Sequence, residues 1–324
     1  MSSLTLPAPA KINLFFEVLR RRSDGFHDVV SITVLLDLSD TLTLESGARP
    51  ESLLTQRVEG GLSSESLPPS EGHNLVVKAY NRFCQALGSP TGGPAFACRN
   101  VLPEIQMTLV KRIPMEAGLG GGSSDAATAL LLLNRFCGYP FTLNELTAIA
   151  SGLGSDVPLF LATHGATLGT GRGELLHPLP EWQGPQLTFI LLKPPFGLAT
   201  PAVYRGWDAH ARQDPRTADT FLAAWRSCDL TSLANSCYNG LEPIADQIRP
   251  DLVKYKNYLR GQGMLCVRMT GSGTCLYALC ESRQSALAQV ARLRAAFPEA
   301  YVQAASMCSG IPLWYKGYEE KGLF

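Results

Sequence analysis

The sequence predicts an α+β protein of two halves, in which helices and strands follow one another without strict alternation. Apolar residues alternate with their neighbours at Ile12, Leu14, Phe16 and Val18, as in a strand. Four closely spaced glycines then precede an Ala/Leu-rich helical run, and short strands and helices mix beyond about residue 180. This order is typical of a layered α+β fold, and a chain of 324 residues can form two ordinary domains.

The first half is predicted to begin with β structure over residues 5–45, interrupted by turn residues at 23–25. Residues 46–72 are rich in Ser, Gly, Pro and Glu, have no periodicity, and are predicted to form a surface excursion. The next elements are a helix, a loop and a strand, predicted over 75–87, 88–95 and 105–111.

A capping box predicts the next helix, because Thr142 stands three residues before Glu145 and Gly152 closes the run. Four further strands are predicted over 187–192, 264–269, 276–280 and 301–305. Four further helices are predicted around 202–207, 218–225, 252–260 and 285–297.

Composition and charge indicate a globular enzyme without a nucleic-acid partner. Hydrophobic residues make up 45% and charged residues 17% of the chain, and 28 basic residues balance 28 acidic ones. Duplex-binding proteins usually carry a basic surplus, which is missing here. The first residues do not resemble a leader peptide, and apolar runs such as 126–133 are too short to cross a bilayer. We therefore expect a cytoplasmic protein without a membrane partner.

The nine cysteines contain no C-x-x-C pair, and the five histidines do not cluster near them. Zinc-ligand spacing is therefore missing. Free cysteines are often simply buried, so most of these are predicted to be reduced core residues.

The most informative stretch, PMEAGLGGGSSDAA, runs from Pro114 to Ala127. Its glycines let consecutive backbone N–H groups turn toward one point, and the following helix adds unpaired N–H groups and a positive dipole end. Together these features predict an anion site of polyphosphate size. The stretch lacks the Gly-Lys-Ser/Thr ending of a P-loop and the spacing of a dinucleotide fingerprint. The alternative is a flexible turn that caps a helix.

This loop resembles that of the kinases named for galactokinase, homoserine kinase, mevalonate kinase and phosphomevalonate kinase (GHMP). Three further segments, PAKINLFFEV (9–18), RRSDGFHDV (21–29) and TGSGTCLYAL (270–279), are similar to those of the 4-diphosphocytidyl-2-C-methyl-D-erythritol kinase family. The resemblance implies a two-lobed GHMP-kinase-like fold with the active site in the cleft between the lobes. It also implies ATP-dependent phosphorylation of the substrate's 2-hydroxyl in the non-mevalonate route to isoprenoids. Mg²⁺ is expected as a cofactor, with ligands not identified.

The resemblance assigns the catalytic roles to Lys11 and Asp156. Asp156, in SGLGSDVP, is the candidate general base, because a helix start near Pro158 would keep its carboxylate ionised. Lys11 is expected to attract the transferring phosphoryl group. Without the resemblance, Asp156 would be an N-cap residue and Lys11 a solvated charge.

The resemblance also assigns two sets of binding residues. Candidates for ATP binding are Pro114, Gly118, Leu119, Gly120, Gly121, Gly122, Ser123 and Ser124, together with Lys111 and Asn74. Candidates for substrate binding are Asn13, Phe26, His27, Thr200, Tyr204, Gly271 and Gly273. One of the two serines could instead serve only as an N-cap, the two glycines of TGSGT could form only a hairpin turn, and each aromatic residue could be a core residue.

Two positions depart from the family pattern. Phe26 replaces the commoner tyrosine, so stacking is retained and a hydroxyl hydrogen bond is lost. Glu116 and its neighbour Ala117 stand where small residues are usual, and we expect the carboxylate to point outward or to bind a cation.

We expect residues 1–180 to form an N-terminal ATP-binding and catalytic domain, and residues 181–324 a substrate-side α+β domain. The expected partners are ATP and a small-molecule substrate, and the protein is expected to be a monomer or a weak homodimer. Alternatives are a homoserine-type or mevalonate-type kinase, or an inactive nucleotide-binding regulator. The Gly-Phe-His segment and Tyr204 argue against the first. Lys11, Asp156 and the complete glycine loop argue against the second.

Overall fold

The structure is a computed structural model that describes residues 3–46, 53–60, 62, 67, 73–88, 105–162, 165–209, 216–309 and 318–322. Its strands are β1 Ser3–Arg21, β2 His27–Ser46, β3 Leu54–Val58, β4 Ile105–Lys111, β5 Ala166–Thr170, β6 Leu175–Pro178, β7 Thr188–Lys193, β8 Tyr238–Asn239, β9 Cys266–Met269, β10 Leu276–Cys280 and β11 Tyr301–Ser306. Its helices are α1 Leu75–Gly88, α2 Gly121–Phe136, α3 Leu143–Ser151, α4 Leu159–Ala162, α5 Thr200–Ala209, α6 Asp219–Ser227, α7 Leu230–Ser236, α8 Glu242–Ile248, α9 Asp251–Gly261 and α10 Arg283–Ala296.

The larger sheet contains seven strands among the described residues, in the order β3-β4-β2-β1-β8, with β5 on β2 and β6 on β5. β1 and β2 form a long antiparallel pair, whose register runs from Ser3 opposite Glu45 to Arg21 opposite His27. Both faces of β1 are buried from Ala10 to Val18, because helices and a second sheet cover it on opposite sides. This burial explains why the polar Lys11 and Asn13 lie inside the protein.

The smaller sheet is antiparallel, with the order β11-β7-β10-β9. One core cluster lies between the two sheets and contains Ile12, Phe189 and Tyr277. A second cluster lies under α1 and α2, and a third lies mostly in the second half of the chain but includes Phe16, Val18 and Val29. β8, which comes from the second half, pairs with β1 in parallel, so the two halves share both a sheet and a core.

Most of the predicted elements are present with small shifts at their ends, including the capping box of α3 formed by Thr142 and Glu145. Residues 46–72 are not only an excursion, since β3 lies within them and pairs in parallel with β4. Of the loop predicted over 88–95, Gly88 is the last residue of α1, and residues 89–95 lie outside the described residues, as do most of the other residues of segment 46–72.

The alternative that one of the two serines serves only as the N-cap of α2 is wrong. The N-cap is Gly120, whose φ of 71° lies in the left-handed region, and no side chain caps the helix. Among the described residues, no helix has the length and apolar character needed to span a membrane.

Candidate active site

A cavity of about 680 Å³ lies in the cleft between the two halves. The first half contributes β1 and β2, the glycine loop and the turn before α4, and the second half contributes α5 and the turn after β9. The candidates that line it are Lys11, Asn13, Phe26, His27, Gly118, Gly120, Ser123, Asp156, Thr200, Tyr204 and Gly271. Residues far apart in the sequence therefore meet at one site.

The glycine loop is shaped by contacts that leave no room for side chains. Gly118 has a φ of 79°, and a Cβ there would overlap the carbonyl oxygen of Thr270. A Cβ on Gly120 would lie 2.8 Å from the ring of Phe160 and 3.0 Å from Cγ of Lys11. The loop ends directly in α2, whose first N–H groups have no side-chain cap. This arrangement suits an anion at the helix start.

The two serines of the loop differ in their surroundings. Ser123 lines the cavity, whereas Ser124 is fully buried. The hydroxyl of Ser124 has no hydrogen-bond partner among the described residues. Only Ser123 therefore faces the space in which a ligand would lie.

Lys11 and Asp156 lie beside the loop. Nζ of Lys11 is 3.8 Å from Oδ2 of Asp156 and donates to Oδ1 of Asn13 at 2.8 Å. Lys11 is only 6% exposed, whereas the Asp156 side chain is 49% exposed and faces the cavity. Burial lowers the pKa of Lys11, and the nearby Asp156 only partly opposes this effect.

Asn13 is held in a single orientation by its neighbours. Its Nδ2 donates to Oγ of Ser31 at 2.7 Å and to Oγ1 of Thr33 at 2.9 Å, so its Oδ1 is turned toward Lys11. The backbone N–H of Lys11 donates to the carbonyl of Leu119 at 2.9 Å, which joins β1 to the glycine loop. The position of the ammonium relative to the loop is thus fixed from two sides.

The turn after β9 packs against the glycine loop. Gly271 has a φ of 57°, and a Cβ there would lie 3.5 Å from Nζ of Lys11. Gly273 does not line the cavity; a Cβ on it would overlap the backbone at Ala117 and Gly118. Asn239, which sequence reasoning missed, donates to the carbonyls of Met269 and Gly271 at 2.8 Å each and holds this turn.

Aromatic residues form the other end of the cavity. Tyr204 lies on His27 with ring centroids 4.8 Å apart and planes 36° apart. Phe26 is 54% exposed, and the guanidinium of Arg172 lies 4.9 Å from its ring centroid. Oγ1 of Thr200 is 2.7 Å from Oγ of Ser272, which links α5 to the turn after β9. Arg172 was not predicted, because a lone arginine in a short hairpin carries no sequence signal.

Lys111 and Asn74 do not line this cavity. Lys111 is 5% exposed and forms ion pairs with Asp40 and with Oδ2 of Asp125, the latter at 2.6 Å. Its Nζ nevertheless lies 3.4 Å from where a Cβ of Gly121 would stand. Asn74 accepts from the N–H of Val76 at 2.8 Å and so caps α1.

A second cavity, of about 370 Å³, lies on the other side of the glycine loop. Ile113, Pro114 and Met115 line it together with Lys111. Glu116 has a φ of 53°, and its Oε2 lies 2.9 Å from where a Cβ of Gly197 would stand. Its carboxylate is therefore directed at the segment before α5.

Among the described residues, no group of three His, Cys, Asp or Glu side chains is arranged to hold a metal ion by itself. The oxygens that line the cavity beside the loop include the carboxylate of Asp156 and the hydroxyl of Ser123. A hard cation such as Mg²⁺ prefers oxygen ligands and often keeps most of its coordination for phosphate and water. This donor set therefore fits a cation that arrives with a nucleotide.

Two family models match the chain. The GHMP kinases N terminal domain matches residues 74–164, and the GHMP kinases C terminal model matches residues 223–299. A 4-diphosphocytidyl-2-C-methyl-D-erythritol kinase of Moorella thermoacetica is 36% identical over 308 residues, which cover 93% of this chain and 99% of that protein. The enzyme of the same name from Verminephrobacter eiseniae is 37% identical over 276 residues, covering 84% of each chain.

Solved structures agree with this match. A crystal structure of 4-(cytidine 5'-diphospho)-2C-methyl-D-erythritol kinase superposes with a TM-score of 0.73 and 30% identity, covering 94% of this chain and 100% of that one. A mevalonate kinase from L. major, in complex with R-mevalonate, has a TM-score of 0.68 at 17% identity, covering 96% and 98% of the two chains. The second likeness shows the fold alone, and it confirms the predicted two-lobed α+β architecture.

Proposed function

The chain belongs to the 4-diphosphocytidyl-2-C-methyl-D-erythritol kinases, within the GHMP kinase family, and we propose that it phosphorylates the 2-hydroxyl of that cytidylylated substrate with ATP. One observation carries the proposal. Lys11 and Asp156 lie together beside the glycine loop, in a cavity whose far end is formed by His27 and Tyr204. A phosphate site, a base and an aromatic pocket thus share one cleft.

The glycine loop and the start of α2 bind the triphosphate of ATP in this proposal. The backbone N–H groups near Gly118–Ser123 point their partial positive charge at the phosphates. The second cavity, with its apolar residues Ile113, Pro114 and Met115, takes the nucleobase. Lys111 and Asn74 then support this site through the strand end and helix start that they hold in place.

Asp156 accepts the proton of the acceptor hydroxyl, whose oxygen forms the new bond to the γ-phosphorus as the bond to ADP breaks. A hydroxyl oxygen about 2.8 Å from both Lys11 Nζ and Asp156 Oδ2 fits between atoms that lie 3.8 Å apart. The ammonium of Lys11 lowers the energy of the negative charge that develops on the transferring group. Mg²⁺, when bound, neutralises phosphate charge, and Asp156 and Ser123 are the protein oxygens placed to help hold it.

The cytidine end of the substrate lies against Phe26, His27 and Tyr204. Aromatic faces stack on the base, and the polar atoms of His27 bind its edge. Burial, with a smaller contribution from the charge of Asp156, raises the pKa of Tyr204, so its hydroxyl stays protonated and can donate. In this proposal, residues 1–180 form the ATP-binding half, and Thr200, Tyr204 and Gly271 are the substrate contacts from residues 181–324.

A coupled assay of ADP release tests the proposal with three acceptors: the cytidylylated substrate, mevalonate and homoserine. We expect turnover with the first alone. Turnover only with mevalonate or homoserine would assign the chain to another kinase of the family. ATP binding without turnover on any acceptor would support the inactive regulator instead.

A further inference from the structure

Helix α5 presents one face to the cavity. Thr200, Tyr204 and Asp208 follow one another at intervals of four residues, so they lie along one side of the helix, and all three line the cavity. Thr200 contacts the turn after β9, and Tyr204 stacks on His27. Asp208 is the member of this face that sequence reasoning did not single out.

Asp208 holds the imidazole of His27. Oδ1 of Asp208 lies 2.7 Å from Nε2 of His27, while Tyr204 covers one face of the ring. Trp207 meets the ring edge-on, with centroids 5.5 Å apart and planes at 89°. Because the buried ring is held at a nitrogen, a face and an edge, its orientation is fixed before any ligand arrives.

The contact also decides which ring nitrogen carries the proton. An ionised carboxylate only accepts hydrogen bonds, so Nε2 of His27 must be the donor. The second oxygen of Asp208 faces a cation, since Nη1 of Arg21 lies 3.7 Å from Oδ2. In the neutral ring the other nitrogen, Nδ1, is then unprotonated and can only accept a hydrogen bond. It makes no hydrogen bond to any of the described residues.

We propose that Asp208 is a positioning residue that fixes His27 in the Nε2-protonated tautomer, so that Nδ1 selects a pyrimidine bearing an exocyclic amino group. The identity of the base rests on the proposed function. Cytosine presents an N–H donor at its position 4, whereas uracil presents a carbonyl oxygen there. A carbonyl facing Nδ1 places two acceptors against each other, and an unpaired buried polar group lowers affinity.

Four proteins, one of them a control, test the role of Asp208 in base selection, with cytidine diphosphate and uridine diphosphate as calorimetric probes. The wild type should bind cytidine diphosphate at least about tenfold more tightly than uridine diphosphate. Asp208→Ala frees the ring to take either tautomer, so the ratio should fall below about threefold. Asp208→Asn retains an oxygen that can accept from Nε2, so it should restore most of the preference. Asp251→Ala, on the exposed start of α9, is the matched control and should leave the ratio unchanged.

The tautomer can be read without any ligand or activity. Nitrogen-15 NMR of histidine-labelled protein distinguishes a protonated from a bare ring nitrogen, and His27→Gln assigns the signal among the five histidines. The wild type should show a neutral ring protonated at Nε2. Asp208→Ala should show a mixture of the two tautomers.

Several results would overturn the inference. These are a wild-type ring protonated at Nδ1 or at both nitrogens, an unchanged tautomer in Asp208→Ala, or an unchanged base preference in that variant. The tautomer measurement is independent of the kinase assay. A wild type that carries the proton on Nε2 but phosphorylates no acceptor would refute the proposed function and leave the role of Asp208 in holding His27 intact.

Discussion

Two buried lysines lie on either side of the glycine loop, and their surroundings differ. Lys111 has two carboxylates within ion-pairing distance, from Asp40 and Asp125, and both are buried with it. Lys11 has one carboxylate, from Asp156, which lies 3.8 Å away and is half exposed. The two lysines are almost equally buried, at 6% and 5% exposure, so burial alone does not distinguish them.

The pKa values of the two lysines shift in opposite directions. Burial acts to lower both, but around Lys111 the charges of Asp125 and Asp40 outweigh it and raise the pKa. Around Lys11 burial dominates and the pKa falls. Lys111 is therefore a cation whose charge is already compensated, and it fixes the strand end that leads into the loop. Lys11 has only the more distant, half-exposed carboxylate of Asp156, so its ammonium can also attract an anion that arrives with the substrates.

The largest effect should be on turnover and should come from Lys11 and its partner Asp156, which face the cavity. Asp156→Asn retains the shape of the side chain but cannot take a proton, so turnover should fall by about 10² to 10⁴. Lys11→Met should lower turnover similarly, because it removes the ammonium that attracts the transferring phosphoryl group. The ADP-release assay measures both, and calorimetric ATP affinity is the control. Near-normal turnover of Asp156→Asn would remove Asp156 from the mechanism.

Lys111 and its two buried partners should instead affect the stability of the fold. Lys111→Met leaves Asp40 and Asp125 buried without their cation, and unfolding should become easier by about 3–5 kcal/mol. Lys11→Met, the matched control, should change stability by at most about 1 kcal/mol. Urea denaturation of the two variants measures these changes in the free energy of unfolding. Equal losses would mean that both lysines serve the fold in the same way.

A smaller effect should appear in the pH dependence of stability. Burial, opposed by Lys111 and reinforced by Asp40, raises the pKa of Asp125 to about 8. An unfolded aspartate ionises near pH 4, so between about pH 4 and 8 the folded state binds more protons than the unfolded state. The free energy of unfolding should therefore fall as the pH rises through this range.

Asp125→Asn cannot ionise, so it should flatten this decline. Denaturation at pH 5 and pH 8, with the wild type in parallel, measures the difference. The variant should gain stability relative to the wild type at the higher pH. Parallel curves for the two proteins would contradict the raised pKa of Asp125.

The smallest effect should come from Glu116. Its carboxylate is directed at Gly197, and its charge partly opposes the burial that lowers the pKa of Lys193, so it does not face the phosphates. Glu116→Gln should change the KM for ATP by less than about twofold, since exposed charge pairs contribute little. A large drop in KM would show that the carboxylate repels the nucleotide.

The elements that the sequence predicted well have strong local signals. The alternation in β1 and the capping box of α3 act within a few residues, so they can be read from the sequence alone. β8 could not be predicted, because its two residues become a strand only by pairing with Phe15 and Phe16. Serine favours N-cap positions, so either serine of the loop was an alternative cap for α2, but the tight contacts of the loop require glycine there.

In the candidate active site, too, residues in sequence motifs could be predicted and residues that act only through contacts of the folded chain could not. Motif matching identified Lys11 and Asp156, and the structure brings them together. Asn239 and Asp208 belong to no motif, because each acts through one contact made by the folded chain. Asp208 did have a weak signal, since it follows Tyr204 by one helical turn. Cytoplasmic location, Mg²⁺ and a monomeric or weakly dimeric state remain predictions.

The pairing of β8 with β1 limits how this chain can be divided. Phe15 stands opposite Tyr238, and Ile12 shares one core with Phe189 and Tyr277. Fragments produced separately would each expose an apolar face to water and tend to aggregate. A split-enzyme reporter made from this protein would therefore require both pieces to be synthesised together, and its signal would report reassembly of the core before any catalysis.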